Sequence, residues 1–376
     1  MLSSLKTVDP DELLEYSVVY TDRAVNHMSK KFQITMRDLS CLFKEFYHAN
    51  HVAIIPGSGT SGMEAVARQL AQGQKCMTLR NGLFNFRWTE IFNMAKIPSE
   101  EIVLTAKPTE SGINPYYAPA SINEVIESIT QHQPDLVFTT HVETSSGIIL
   151  SDEYIQKVAK ATYDNGGLLI LDCIASGATW VDMQKLGVDI LITAPQKVWS
   201  STPCCGIVLS NDRARLRIQD TQSDSFALDL KKWFEIMQAY ENGNHAYHTT
   251  MPTDSLMQLR DAMLESKEIG LEKLKEQQAQ LGRKVRDLLK KHNIKSVADP
   301  SVAAPSIVVS YATSFEIKSG KTFAENGVQI SSGVPLKCGE SDEFSTFRLG
   351  LLGIDKWNNV DKTVELLAKS LEKVFK

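Results

Sequence analysis

The chain has 376 residues, with 40 Lys and Arg against 45 Asp and Glu, for a formal charge of −5. Its 43% hydrophobic and 23% charged shares are those of an ordinary globular chain, long enough for a sizeable core and two domains. That balance offers no basic face to mark nucleic acid as a partner, and no apolar run reaches the ~18–20 residues of a membrane span. The N-terminus, MLSSLKTVDPDELLEY, lacks an apolar core and does not read as a secretory signal. Cys41, Cys76, Cys173, Cys204, Cys205 and Cys338 show no paired metal spacing and read as reduced thiols of a cytoplasmic protein.

Residues 1–20 read as a surface arm. An amphipathic helix over 29–49 follows, marked by Phe32, Ile34, Met36, Leu39, Leu42 and Phe43. Strand and helix then alternate. Strands are expected at 52–55, 76–79, 102–105, 136–139, 168–171, 188–192 and 207–209, with helices at 62–71, 84–95, 121–130 and 152–163. This rhythm implies an α/β domain whose mainly parallel sheet is covered on both faces. It changes after Ser225. A helix over 228–239 and a polar link over 245–252 precede a charged helical stretch over 254–292, bent near Gly270. Strands at 306–311, 328–331 and 347–351 come next, with helices around 315–325 and 356–375. The expected division is an arm over 1–20, a large domain over 21–253 and a smaller C-terminal α/β domain over 254–376.

Pro56 to Gly62, PGSGTSG, lies between an expected strand and helix. Glycines there let backbone N–H groups approach an anion at a helix N-terminus. Gly57, Gly59 and Gly62 also spell GxGxxG, so a dinucleotide loop competes. That reading wants an acid about 20 residues on. The chain has Met77 to Asn81 there, with Arg80 available for an NADP phosphate. A plain tight turn is a third reading. A Walker A loop is excluded, because Met63-Glu64 stands where Lys-Ser/Thr is required.

Asp172 closes one apolar run, and Gln196-Lys197 follows the next. An acid and a lysine in such places are costly to bury unless they serve something. Their separation, 197 − 172 = 25 residues, is room for one strand–helix–strand connection. The simplest reading is pyridoxal 5'-phosphate, whose chemistry needs a lysine for its aldehyde and a carboxylate beside its ring nitrogen. Arg348 lies in the apolar run FRLGLLG. It reads as a bidentate carboxylate binder or as half of an internal salt bridge.

The segment LDCIASGATWVDMQKLGVDILITAPQK resembles the lysine-bearing segment of the class V, fold-type I aminotransferases, closest to the alanine–glyoxylate and serine–pyruvate group. The chain from about Ser29 onward can be laid on that pattern. The resemblance makes Lys197 the Schiff-base lysine and catalytic base, and Asp172 the ring-nitrogen partner. It places the cofactor phosphate at Ser58, Gly59 and Thr60, with a contact from Gln196. It lays Phe84 flat on the ring and brings the Thr144 hydroxyl, in His141-Val142-Glu143-Thr144-Ser145, to the ring edge. It assigns the substrate carboxylate to Arg348. Tyr247 and Thr250 would bind the phosphate of the partner subunit, so that each site of a homodimer is built from two chains. The implied donor is a small amino acid of the alanine or serine type, and the implied acceptor a 2-oxo acid of the glyoxylate or pyruvate type.

Two departures touch the substrate side. Relatives carry an early Pro-Gly-Pro loop where this chain has Val18 to Arg23. They often carry Pro-Pro-Gly after the lysine, where this chain has Thr202-Pro203-Cys204-Cys205-Gly206. Cys338, in a polar stretch over 331–343, keeps open a cysteine desulfurase or lyase on the same fold. Gln196 and Phe84 stand against it, since desulfurases carry His at both places. Arg23, Arg80 and Arg87 are the cations available for a second substrate acid.

Overall fold

The computed structural model of the chain describes residues 11, 13, 14, 16, 17 and 24–376. Most of the expected arm, and the segment from Val18 to Arg23, lie outside those residues.

Helix α1, Lys30–Tyr47, is fixed at both ends by local chemistry. Ser29 Oγ accepts from the Phe32 N–H at 3.2 Å, and His48 closes the helix in the left-handed region. Its buried face carries Phe32, Met36, Leu39, Phe43 and Phe46, the i, i+3, i+4 spacing of one helical stripe.

Seven strands form the main sheet: β1 His51–Pro56, β2 Lys75–Arg80, β3 Glu100–Thr105, β4 Leu136–Thr140, β5 Leu168–Asp172, β6 Ile190–Thr193 and β7 Cys205–Ser210. Their spatial order is β1-β7-β6-β5-β4-β2-β3. Every residue of β4 through β7 is buried, as strands covered on both faces must be. Pairing is parallel except along β7, which runs antiparallel to both β6 and β1. Two reversals leave β1 pointing the same way as β2 to β6. The loops after β1, β2, β4, β5 and β6 therefore emerge along one carboxyl edge, where open α/β sheets hold their ligands. Helices α2 Gly59–Leu70, α3 Leu83–Ala95, α4 Ile122–His132, α5 Asp152–Asp164 and the single turn α6 Pro195–Val198 continue from this alternation.

The rest of the chain departs from the sheet rhythm. Helix α7, Leu230–Glu241, packs on β1, and α8, Thr253–Ile269, packs on α1. Gly270, at φ +99°, separates α8 from α9, Leu271–Lys291. A three-stranded antiparallel sheet follows, formed by β8 Ile307–Tyr311, β9 Ser331–Ser332 and β10 Thr346–Gly350 in the order β8-β10-β9. The strand expected over 328–331 is reduced to β9, because the Val328 N–H is used to close the preceding helix on Phe323 O. The helix expected over 315–325 divides at Gly320, whose φ of +81° interrupts it. The last expected helix becomes Ile354–Trp357 and α10 Val360–Val374, the latter capped by Asn359 on the Lys362 N–H.

Among the described residues three apolar cores result, and the chain passes from the first to the second at Gly270. Leu256, Leu259 and Met263 of α8 join the core of the large sheet. Leu274, Leu281, Val285 and Leu289 of α9 join Phe347, Leu349, Trp357 and Leu371 in the second. Gln278, fully buried on α9, ties that helix to the segment after β5: its Oε1 accepts the Ala178 N–H at 2.7 Å. Gly177 makes the approach possible, since a Cβ there would stand 2.3 Å from Gln278 Oε1.

Candidate active site

The loop after β1 turns at Gly57, whose φ of +127° suits glycine alone, and the Ser58 N–H donates to Ser61 Oγ at 3.2 Å. Helix α2 consequently starts at Gly59, three residues before the expected 62, and Gly59 and Thr60 stand in its first turn. That turn has N–H groups with no acceptor inside the helix. Strand β7 passes directly beneath. A Cβ on Gly206 would lie 2.6 Å from Ser58 O and 2.8 Å from Gly62 N, so a side chain there would push the loop off the sheet.

Phe84 is held by its neighbours on the next two loops. The first three N–H groups of α3 are all received by the turn after β4: Leu83 N donates to Ser145 Oγ at 2.8 Å, Phe84 N to Glu143 Oε1 at 3.3 Å and Asn85 N to Glu143 Oε2 at 2.9 Å. Ser145 adds its own N–H and hydroxyl to Glu143 Oε1 at 2.9 and 2.7 Å. Burial pushes the Glu143 carboxyl up, and these bonds oppose the shift. Glu143 is thus an internal cap for the helix that carries Phe84. Its sequence signal was an acid two residues before a serine, just past a strand. Thr144 begins the turn between Val142–Glu143 and Ile148–Ile149 and is half-buried. His141 is fully enclosed, with Nδ1 2.8 Å from Ser176 Oγ, and burial lowers it to about 4.

Two guanidiniums flank the Phe84 ring. Arg87, one turn further along α3, has its Cζ 5.1 Å from the ring centroid and donates from Nη1 to Thr60 Oγ1 at 3.1 Å. Arg348, on β10, has its Cζ 5.8 Å from the same centroid and donates from Nε to Ser332 O at 2.9 Å. Among the described residues no carboxylate pairs with Arg348, so the internal salt bridge is not found. Sequence reasoning left Arg87 unplaced, because only the packing of α3 against α2 turns it toward Thr60.

The register of β5 and β6 puts Asp172 and Lys197 at the carboxyl ends of neighbouring strands. Asp172 pairs with Ile192, five residues before Lys197. Asp172 Oδ1 accepts the Ile174 N–H at 2.8 Å. Burial raises its carboxyl to about 7; Glu143 adds to the rise, while the Ile174 bond and Arg87 oppose it. Lys197 is exposed as a residue, yet its ammonium lies below the ordinary lysine range, first through desolvation and second through repulsion from Arg348. The neighbouring Gln196 Oε1 is buried with no hydrogen-bond partner among the described residues.

Tyr247 and Thr250 are not brought to this cluster. Both are exposed, Tyr247 at 63%, and their hydroxyls lie 3.4 Å apart. Among the described residues no hydrogen bond joins them to Lys197, Asp172 or the 58–60 loop.

The two rival readings lose their chemistry. The Cys338 thiol donates to Arg80 O at 3.4 Å, and burial pushes it up to about 12, which disfavours the thiolate a desulfurase needs. Its loop is pinned by Glu340, whose carboxylate receives the N–H groups of Lys337 and Cys338 at 3.0 and 2.9 Å. Arg80, the candidate for an NADP phosphate, donates to Thr89 Oγ1 at 2.6 Å and covers the Phe86 ring at 4.7 Å.

The residues present fit pyridoxal 5'-phosphate. A helix N-terminus beside a threonine hydroxyl and Arg87 suits a phosphate. The orphaned Gln196 Oε1 awaits a donor, and the buried Asp172 carboxyl awaits a cation. The fold and this carboxyl-edge site are those of a fold-type I pyridoxal-phosphate enzyme. The chain belongs to the aminotransferase class-V family, whose model matches residues 10–361.

Its relatives include alanine–glyoxylate aminotransferase of Rattus norvegicus, 28% identical over 93% of this chain and 83% of the relative. Another is 2-aminoethylphosphonate–pyruvate transaminase of Bacillus mycoides, 26% identical over 98% and 96%. Among solved structures, an alanine–glyoxylate aminotransferase from Nostoc sp. superposes with a TM-score of 0.79 at 18% identity, covering 94% of this chain and 89% of that one. The protein is a pyridoxal-phosphate-dependent transaminase, which passes an amino group from an amino acid to a 2-oxo acid. No described helix is long and apolar enough to cross a membrane.

Proposed function

We propose that this transaminase takes its amino group from a small amino acid of the alanine or serine type and delivers it to glyoxylate or pyruvate, with Lys197 as the amine at the centre of the exchange. The observation that carries the assignment is the convergence of Lys197, Asp172, Phe84 and Arg348 at one sheet edge, with Arg348 close enough to lower the Lys197 ammonium. When bound, the cofactor supplies an electron-accepting ring that stabilises the charge left when a substrate Cα proton departs. Ser58, Gly59, Thr60 and Gln196 would hold its phosphate, Phe84 would cover its ring, Thr144 would donate to its edge, and Asp172 would face its ring nitrogen.

Lys197 would hold the group covalently and, once freed, would move the Cα proton. A lowered ammonium pKa leaves a larger neutral share of Nζ to accept that proton near neutral pH. Arg348 grips the substrate carboxylate and so orients the Cα–H bond for Lys197. The alanine–glyoxylate aminotransferases among the relatives support the small donor and acceptor.

The reading includes a homodimer in which the partner subunit's Tyr247 and the partner subunit's Thr250 complete each phosphate site, supported by the exposure of both residues here. It also includes a cytoplasmic location, in keeping with six free cysteines. The domain division over 21–253 and 254–376 belongs to the same proposal, although α8 packs in the core of the large sheet, which favours a joint at Gly270 rather than at 253.

The test is the visible absorption spectrum of the purified protein, recorded before and after a panel of amino acids that includes alanine, serine and 2-aminoethylphosphonate. A yellow band that converts with alanine or serine names the donor; conversion by 2-aminoethylphosphonate alone replaces the small-amino-acid reading. Lys197→Ala is expected to lose both the yellow colour and turnover. Retention of both would remove Lys197 from its role.

A further inference from the structure

We propose that Arg87 is a positioning residue for the cofactor, a clasp between the phosphate loop and the residue that covers the ring. The inference rests on the reading above, in which Thr60 serves the phosphate and Phe84 the ring. Arg87 stands three residues after Phe84 on α3, so both side chains share one helix face. Its Nη1 donates to Thr60 Oγ1 at 3.1 Å, and its guanidinium lies over the Phe84 ring at 5.1 Å. One side chain therefore touches both loops that must close around a single small molecule.

The electrostatics point the same way. Among the described residues no carboxylate forms an ion pair with Arg87, and its hydrogen bond goes to a neutral hydroxyl. Its half-buried guanidinium, bonded to a neutral hydroxyl, can therefore pair with an arriving anion. A phosphate monoester beside Thr60 is such an anion. Arg348 reaches the same ring but is anchored on Ser332 O, and Arg80 is committed to Thr89 and Phe86. Arg87 also offsets the burial of Asp172, since its charge favours the ionised carboxylate that would face the ring nitrogen.

The experiment measures the dissociation constant of pyridoxal 5'-phosphate by fluorescence quenching on full-length protein stripped of cofactor, in the wild type, Arg87→Met, Arg87→Lys and Lys197→Ala. Thermal protection by inorganic phosphate is recorded in parallel. Arg87→Met is expected to raise the dissociation constant about 10- to 100-fold and to abolish protection by phosphate, as fits the loss of a charge-assisted contact. Arg87→Lys, which keeps the charge but not the planar fork, is expected to recover part of both. KM for the amino donor at saturating cofactor should stay within about threefold of wild type, because Arg348 rather than Arg87 meets the substrate.

A wild-type dissociation constant in folded Arg87→Met overturns the proposal. Arg87→Gln replaces it if Arg87→Met does not fold, and failure of both to fold in the presence of cofactor overturns the proposal in favour of a purely structural role. A Lys197→Ala protein that keeps its yellow colour overturns the underlying reading instead, so the two failures are distinguishable.

Discussion

Arg348 shows how little a residue's type says until its neighbours are known. In an apolar strand it could have been half of a buried salt bridge. In the fold it covers the Phe84 ring and bonds only a carbonyl, so its charge remains available to a carboxylate. Replacing it by Lys keeps one charge but loses the bidentate fork. Arg348→Lys is expected to lower kcat/KM for amino and oxo substrates alike, by the ~1.5–3 kcal/mol of a charged hydrogen bond, or roughly 10- to 150-fold. Equal kcat/KM in the variant would move the carboxylate elsewhere.

Asp172 allows a second test at the same scale. Its carboxyl, raised to about 7 from an ordinary 3.8, keeps its proton in the folded chain after the unfolded chain has lost it. The unfolded state then binds fewer protons, so stability present below about pH 4 is lost as pH rises toward 7. His141, lowered to about 4 from 6.5, acts in the opposite sense, and its contribution grows as pH rises across that interval. Comparing cofactor-free Asp172→Asn with wild type isolates the first effect. The urea midpoint of the variant should gain on the wild type between pH 4 and 7, and a constant difference would mean Asp172 is ionised in the folded chain.

At the scale of elements, the site depends on backbone contacts that no side chain advertises. Helix α2 can start three residues early, and lie on β7, because Gly206 has no Cβ to strike Ser58 O and Gly62 N. Both obstacles are backbone atoms and cannot rotate away. Gly206→Ala is expected to cost about 1–3 kcal/mol. Its Tm should fall by several degrees, and cofactor affinity should fall with it, because the displaced element is the loop proposed to hold the phosphate. A lower Tm with unchanged affinity would separate the loop from the phosphate. The α3 N-terminus follows the same logic: Gly82 leaves room for Glu143, which a Cβ would meet at 2.7 Å, and Glu143 in turn holds the helix that presents Phe84.

At the scale of the whole molecule, the core changes at Gly270 and Gln278 ties α9 to the segment after β5, so the C-terminal sheet carries Arg348 to the Phe84 ring of the large domain. The proposed shared-site dimer predicts complementation. A Lys197→Ala subunit mixed with a subunit carrying both Tyr247→Phe and Thr250→Ala forms one site with intact Lys197 and the partner subunit's Tyr247. The mixture is expected to recover up to one active site per hybrid dimer, well above either parent. Mixed dimers that form but stay as inactive as their parents would place Tyr247 and Thr250 outside the site.

Much of this molecule was legible in the sequence because its information is local. Alternating apolar runs and helical stripes marked the seven strands and most helices, since strands buried on both faces must be apolar whatever they pair with. Asp172 and Lys197 stood out because charged residues at the ends of such runs violate the pattern. Whatever depended on one element meeting another was hidden. The antiparallel placement of β7, the early start of α2, the Glu143 cap and the commitment of Cys338 to Arg80 O are all contacts between residues far apart in the chain. Arg87 is the sharpest instance. Its sequence offered a cation on a helix, and only the packing of α3 against α2 aimed that cation at Thr60.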